Sequence, residues 1–351
     1  MNSVIPAKST RPAIENLYLA ARDDALELVG TDLEVAIRYR IADDVKIAEP
    51  GTTLIPARVA SEFIRDLSGE TVSLETRDDH CVIQSGVDRC ELVTIDTDEF
   101  PVVPRFEEEG SLTLQGGTLA RLVGRTAFAA AREAGRYAMH GILTQVEDNS
   151  LRLVATDGRR LAITHTAVET NGSAPRKAIV PTKGMQLFAR TIDDPLVNVR
   201  LHFGENQIGL ETPKAQVFAR LIDGEFPRYA AVIPSTTANS VEADAELMNK
   251  KLRLVSNVTA SDTRAVRLSF TKDQMDIFAR SAGYGEASAR MEVAYRGEET
   301  GIAFNPDYVM DGLKNCEKDV VQLEFNEKTA PGKFTLGENY IYVVMPITVD
   351  T

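Results

Sequence analysis

An α+β fold built from three similar domains is predicted by two observations. First, the pattern strand, proline, helix occurs three times: Thr52–Leu67, Arg176–Ile192 and Gly301–Cys316. The prolines, Pro56, Pro181 and Pro306, fall 125 residues apart at both steps. Second, the same interval of 125 separates two strand-turn-strand stretches, LELVGTDLEVAI at Leu26–Ile37 and LRLVATDGRRLAI at Leu151–Ile163. Apolar and polar residues alternate on both sides of each Thr-Asp pair, as in half-buried strands joined by a tight turn. A unit of this length has the size of a domain and is too long for a solenoid repeat.

In chain order, proline suits the first turn of each helix, where its missing N–H breaks no intrahelical bond. Alternating strands follow each helix, and each repeat closes on another strand: Glu91–Ile95, Ala215–Leu221 and Tyr340–Met345. The first two closing strands run into the related phrases DEFPVVP and GEFPRYAAVIP, and the third retains only Met345-Pro346. Polar, proline-marked linkers at Pro104–Gly110 and Pro234–Asn239 set the boundaries. The domains are therefore placed at 1–108, 110–235 and 238–351. The second opens with a strand, Ser111–Leu114, and a helix at about Thr118–Arg132. A counterpart of Ser111 in the first repeat would precede Met1, so that repeat lacks its opening strand and most of its first helix. A start codon assigned too late and a genuinely shortened domain both account for this.

The net charge of −13 argues against a simple basic nucleic-acid binder. It still permits basic residues concentrated on one surface. The absence of Trp and the few aromatics argue against a base-stacking single-strand binder. No run approaches the length of a membrane span, and MNSVIPAKSTRP lacks the apolar core of a secretory signal. Cys81, Cys90 and Cys316 form no CxxC pair, which suits reduced thiols in the cytoplasm. A Cys81–Cys90 bridge across a hairpin turning at Ser85-Gly86 is the alternative.

The helices repeat a basic face. At 100° per residue, Leu119, Leu122, Val123 and Ala130 cluster on one side of the second repeat's opening helix, with Arg121, Arg125 and Arg132 roughly opposite. In the third repeat Leu247, Leu254, Val255 and Val258 are expected to form the core face, and Lys250, Arg253 and Asn257 the outer one. Arg58 and Arg65 of the first proline-led helix correspond to Lys183 and Arg190 of the second. Solubility alone explains scattered Lys and Arg. Their recurrence at equivalent positions in an acidic chain points to a surface for phosphates, with positioning contacts and no base code.

The phrases VATDGRRLAI, RPAIENLYL followed by VGTDLEV, IVPTKGMQL, LIDGEFPRY and YVVMPI resemble those of the bacterial DNA polymerase III beta subunits, the sliding clamps, in order along nearly the whole chain. The resemblance implies three clamp-type domains in the DNA clamp fold. Two subunits would join head to tail as a ring-shaped homodimer, with helices lining the inside and antiparallel sheets outside. It implies a processivity factor that encircles double-stranded DNA without sequence preference. Its partners would be the DNA polymerase III alpha subunit, the clamp loader and other proteins carrying a clamp-binding motif. The setting would be cytoplasmic and nucleoid-associated, with no membrane, no cofactor and no metal. The family's partner-peptide cleft, between domains two and three, maps onto Met139, Thr156, Gly158, Arg159, Arg160, Leu161, Pro227, Val232, Asn305, Tyr308, Val343, Val344, Met345 and Ile347. A few apolar anchors suit a short peptide, and Met139 with Met345 gives an adaptable wall. For DNA the matched positions add Lys8 and Lys183, while Glu133 and Thr263 stand where other clamps often carry DNA-touching residues. Cys90 and Val258 fall near the subunit seam, and Val349-Asp350-Thr351 continues past the family's usual end.

An enzyme is the competing class. Asp32, Asp157, Asp223 and Glu225 could be imagined as a metal cluster, but the first two recur as turn residues, where carboxylates accept backbone N–H bonds. His80, His140, His165 and His202 show no HxH or HExxH spacing, and neither a phosphate loop nor a nucleophile elbow is present. A non-catalytic tether is the expectation. A repeat-built scaffold that never meets DNA is the third class.

Overall fold

The computed structural model describes residues 3–22, 24–135, 137–170, 175–259 and 264–348. Thr263 and Val349-Asp350-Thr351 lie outside the described residues. The chain begins with β1 (Asn16–Arg22), β2 (Ala25–Thr31), β3 (Val35–Ile41), β4 (Gly51–Pro56), α1 (Ala57–Asp66), β5 (Ser73–Arg77), β6 (His80–Ser85) and β7 (Asp88–Val93). It continues through β8 (Leu112–Gln115), α2 (Gly116–Thr126), β9 (Gly141–Glu147), β10 (Ser150–Thr156), β11 (Arg160–Ala167), β12 (Arg176–Pro181), α3 (Thr182–Thr191), β13 (Asn198–Phe203), β14 (Gln207–Glu211) and β15 (Ala215–Arg220). The last third holds β16 (Asn239–Asp244), α4 (Ala245–Ser256), β17 (Val266–Thr271), β18 (Gln274–Ser281), β19 (Gly285–Glu292), β20 (Ala294–Arg296), β21 (Thr300–Phe304), α5 (Pro306–Leu313), β22 (Val320–Phe325), β23 (Gly332–Gly337) and β24 (Tyr340–Val344). The architecture is α+β, and each strand-proline-helix segment has the predicted form. Pro56 and Pro181 end β4 and β12, and Pro306 opens α5.

These elements form two compact units, Met1–Ala120 with Lys183–Leu221, and Arg121–Thr182 with Ile222–Thr351. The first holds an eight-stranded sheet in the order β4-β1-β2-β3-β15-β14-β13-β8 and the three-stranded sheet β5-β6-β7. The second holds a nine-stranded sheet, β12-β9-β10-β11-β24-β23-β22-β16-β20, and a four-stranded one, β19-β18-β17-β21. Each large sheet thus joins strands of two successive repeats. The seam β3:β15 pairs Val35 with Ala219 through Tyr39 with Ala215. The seam β11:β24 pairs Arg160 with Val344 through Thr164 with Tyr340, the same positions one repeat on.

Strand alternation decides which residues enter the cores. In the first unit Leu19, Ile55, Cys81 and Ile83 are buried together with Ala60 of α1. In the second, Leu143, Val154, Leu161, Ile179 and Val343 form the cluster nearest the Thr156–Leu161 turn. Full burial of each such aliphatic side chain contributes about 1.5–3 kcal/mol.

Several expectations are corrected. The helix expected to reach Arg132 stops at Thr126 and passes into a 3-10 turn, Ala127–Ala129. The Thr126 hydroxyl donates to the Leu122 carbonyl (2.9 Å), a back-bond that competes with continuing the helix. Arg132 therefore does not share a helix face with Arg121. In α4 the core face is Ala245, Met248, Leu252 and Val255, while Leu247 and Leu254 are exposed and Val258 lies beyond the helix end, half-buried. Cys81 and Cys90 face Leu92 and Ile83 across the β6–β7 hairpin rather than each other, and all three cysteines are free.

Candidate partner-binding pocket

The turn between β10 and β11 is built by its own side chains. Asp157 Oδ1 accepts from the N–H groups of Arg159 (2.9 Å) and Arg160 (3.0 Å). The Thr156 hydroxyl donates to the Arg160 carbonyl (2.6 Å) and accepts from the Gly158 N–H (3.0 Å). Gly158 sits at φ +85°, the left-handed region a glycine enters without strain. The β11:β24 seam runs up to this turn and extends one step further where the Met345 N–H donates to the Arg159 carbonyl (2.9 Å).

Arg160 organises what lies beside this turn. Its guanidinium donates to Asp157 (3.0 Å), Asp311 (2.8 Å) and the Phe128 carbonyl (2.8 Å). The same group lies 4.7 Å from the Tyr308 ring centroid and 5.5 Å from that of Phe128. Burial alone would ease its deprotonation, but the bond to Asp311 and the nearby Tyr342 and Asp157 raise its pKa instead. Asp311 shows the reciprocal effect. Burial alone would raise its pKa, and hydrogen bonds from Lys314 and Arg160 hold it below the usual carboxylate range. Tyr342 donates to the Tyr308 carbonyl (2.8 Å), and burial pushes its phenol up.

Above this platform opens a largely apolar cavity of about 310 Å³. Of the fourteen cleft positions expected from sequence, it brings together Met139, Thr156, Gly158, Arg160, Leu161, Pro227, Val232, Val343 and Met345. Tyr137, Arg228 and Tyr229 also line it and were not anticipated. Tyr229 is held by a hydrogen bond from its hydroxyl to Gln145 (3.1 Å). The signal for it was present in GEFPRYAAVIP, where an aromatic two residues after proline fits an apolar wall.

Five expected residues do not line the cavity. Arg159 is exposed and hydrogen-bonds Tyr308, which raises its pKa. Tyr308 lies behind Arg160 as its ring support. Asn305 caps α5, its side chain accepting from the Asp307 N–H (2.9 Å). Val344 is fully buried in the seam. Ile347 donates its N–H to the Ala303 carbonyl (2.8 Å) and lines a separate small recess with Arg267 and Lys328.

The candidate phosphate-contacting residues separate into two kinds. Lys8, Arg58, Arg65, Arg121, Arg132, Lys183, Arg190, Lys250 and Arg253 are exposed. Some are ion-paired: Arg58 with Glu62 (3.6 Å), Lys250 with Glu246 (2.5 Å), Lys183 with Asp32, and Arg121 loosely with Glu317 (3.8 Å). Arg125 is different and corrects its assignment to the outer face. Its side chain is only 6% exposed and is bound by Glu317. It also donates to Thr164 (3.2 Å) and lies 5.0 Å from the Tyr340 ring centroid. An arginine so enclosed has no free fork for a phosphate. Among the described residues no group of three or more His, Cys, Asp or Glu could hold a metal. No described helix is long and apolar enough to cross a membrane.

Models of the DNA polymerase III beta subunit match the chain in three parts: the N-terminal domain at residues 1–104, the central domain at 113–228 and the C-terminal domain at 230–348. The Beta sliding clamp of Escherichia coli (strain K12) is 32% identical over 344 residues, covering 97% of this chain and 93% of that protein. That of Salmonella typhimurium is 31% identical over 343 residues, with the same coverage, 97% and 93%. The crystal structure of the sliding clamp of Pseudomonas aeruginosa bound to griselimycin superposes with a TM-score of 0.94 at 27% identity, covering 99% of this chain and 94% of that one. With its three-part match and its near full-length likeness to these proteins, the chain belongs to the bacterial DNA polymerase III beta subunit family, the beta sliding clamps.

Proposed function

We propose that this chain closes as a head-to-tail homodimer around duplex DNA and tethers its partners by a short peptide seated in the Thr156–Leu161 pocket. The observation that carries the tethering is the pocket itself. It is a small, mostly apolar recess with a charged, hydrogen-bonded rim, which suits two or three apolar anchors of a peptide. As a member of its family the chain is a non-catalytic processivity factor. Encirclement raises the effective concentration of a tethered polymerase at its template without any new contact to the bases. The natural peptides would come from the polymerase III alpha subunit, the clamp loader and other motif-bearing partners, in the nucleoid of the cytoplasm. Griselimycin, found on the Pseudomonas aeruginosa clamp, is a candidate competitor.

Exposed apolar side chains support the ring. Val59 and Ile64 on α1 and Val93 on β7 are exposed, as are Leu247 and Leu254 on α4 and Phe278 on β18. In the middle repeat neither counterpart helix, α2 for α4 or α3 for α1, carries an exposed large apolar side chain among the described residues. Unburied apolar surface on α1 and β7 of the first repeat and on α4 and β18 of the last fits a seam between one copy's first domain and the other's third. Half-buried Cys90 and Val258 lie in these regions. Domains at 1–108, 110–235 and 238–351 and a phosphate-facing surface formed by the exposed Lys and Arg of the helices complete the reading. Glu133 would weaken that surface locally.

Two measurements test it. A fluorescent clamp-binding peptide titrated onto the protein should bind, and Met345→Ala should weaken it while the dimer mass is unchanged; unaltered affinity would remove the pocket from the mechanism. Protein loaded on nicked circular DNA by a clamp loader should slide off once the DNA is linearised, and retention at moderate salt would argue against a ring.

A further inference from the structure

The first unit carries a basic recess that neither the partner pocket nor the helix surfaces use. By strand alternation Arg38 and Arg40 on β3 share one face with Glu27 on β2 and Arg22 on β1. This is the face opposite α1, which covers Leu19 on β1. A cavity of about 360 Å³ opens there, at the ends of β1, β2, β3 and β15. That volume lies within the usual range for small-molecule sites, about 300–1,000 Å³.

The charges in this cavity do not balance. Arg38 is fully engaged: it donates to Glu27 (2.7 Å) and to the carbonyls of Val103 (2.6 Å) and Pro104 (3.1 Å). Glu27 is thereby committed, and the other lining carboxylate, Glu211, is ion-paired with Arg200. Arg22, Arg40, Arg105 and Lys214 also line the cavity, are exposed, and have no ion pair or side-chain hydrogen bond among the described residues. Burial lowers the pKa of Arg38, Glu27 opposes that shift, and the charge on nearby Arg105 adds to the lowering. In a chain of net charge −13, four unpaired cations converging on one concavity call for an anion of matching charge density. The Thr212–Lys214 turn and the linker at Arg105 wall the recess, which favours a compact ligand over a continuous strand.

We propose that this recess binds a compact polyphosphate group, carried by a free nucleoside triphosphate or by the 5′-triphosphate end of a strand, through charge-assisted bonds from Arg22, Arg40, Arg105 and Lys214. The test titrates the full-length protein by calorimetry with inorganic tripolyphosphate, ATP, a short 5′-triphosphorylated oligonucleotide and the same oligonucleotide without phosphates at its end. Tripolyphosphate should bind. Tighter binding of ATP than of the triphosphorylated strand identifies the free nucleotide, and the reverse order identifies the strand end. Arg22→Glu with Arg105→Glu should weaken tripolyphosphate about tenfold or more. Arg40→Gln, at a side chain with no structural bond, should weaken it less. Clamp-peptide affinity, read at the separate pocket, should not change in either variant and reports that the fold is intact. Equal tripolyphosphate affinity in wild type and variants overturns the proposal, as does equal binding of the oligonucleotide lacking end phosphates.

Discussion

The turns at Thr31–Val35 and Thr156–Arg160 share one backbone design and differ in what surrounds it. In both, the threonine hydroxyl donates to the carbonyl four residues on, 2.9 Å to Val35 and 2.6 Å to Arg160. In both, the aspartate accepts two backbone N–H groups, from Glu34 and Val35 or from Arg159 and Arg160. The third position is left-handed in each, but it is Leu33 (φ +76°) in the first and Gly158 in the second. Position five is buried Val35 in one and Arg160 in the other, and the recess beside the first turn is smaller, about 210 Å³ against about 310 Å³. The free aspartate oxygen follows suit: Asp32 binds Lys183 of α3, whereas Asp157 binds Arg160 within its own turn. A conserved geometry thus carries no function by itself. Replacing Val with Arg at one position creates the ion-paired, ring-backed platform on which the larger pocket stands.

The two turns differ most at Arg160. Arg160→Ala strips Asp157 and Asp311 of their partner and leaves the Phe128 carbonyl unsatisfied. Chemical denaturation should show a loss of about 2–4 kcal/mol, and peptide affinity should fall at least tenfold. Val35→Ala, at the equivalent site, should lower stability by a smaller amount and leave the peptide unaffected. Next comes the shared hydrogen-bond design: Thr156→Val and Thr31→Val should each cost about 1–3 kcal/mol, with only the former altering peptide binding. A large peptide effect from Thr31→Val would mean the two turns are not independent. A smaller effect is expected from Gly158→Ala, about 1–2 kcal/mol from the left-handed backbone, measured by thermal unfolding.

The pH dependence sharpens the same contrast. Asp311 has its pKa held below the ordinary value in the folded state by Lys314 and Arg160. Its contribution is therefore complete above the unfolded carboxylate pKa of about 3.9 and is lost as pH falls through the folded value. The stability difference between wild type and Asp311→Asn should be constant near neutrality and shrink below about pH 4. A difference that shrinks between pH 6 and 8 would assign it to another group.

The repeat, the strand-proline-helix segments and the two turns were legible because each rests on local chemistry: alternation, a proline at a helix start, an aspartate beside its own backbone. Arg125 was misplaced for the opposite reason. Helical angle puts it near Arg121, but Glu317, Thr164 and Tyr340, which enclose it, come from distant parts of the chain. The early end of α2 is marked by a threonine back-bond that periodicity does not report. Nine of the pocket residues were found through resemblance, and Tyr137, Arg228 and Tyr229 were missed because their meeting depends on the fold of the segment 222–233 against β9 to β11.

The shared sheets have a mechanical meaning. Because β3 pairs with β15 and β11 with β24, successive repeats are joined by continuous hydrogen-bond ladders as well as by the peptide linkers between them. A protease cut at 107–110 would sever the chain yet leave the first repeat laddered to β15. Force pulling apart the two repeats that share either sheet would be borne by rows of backbone bonds.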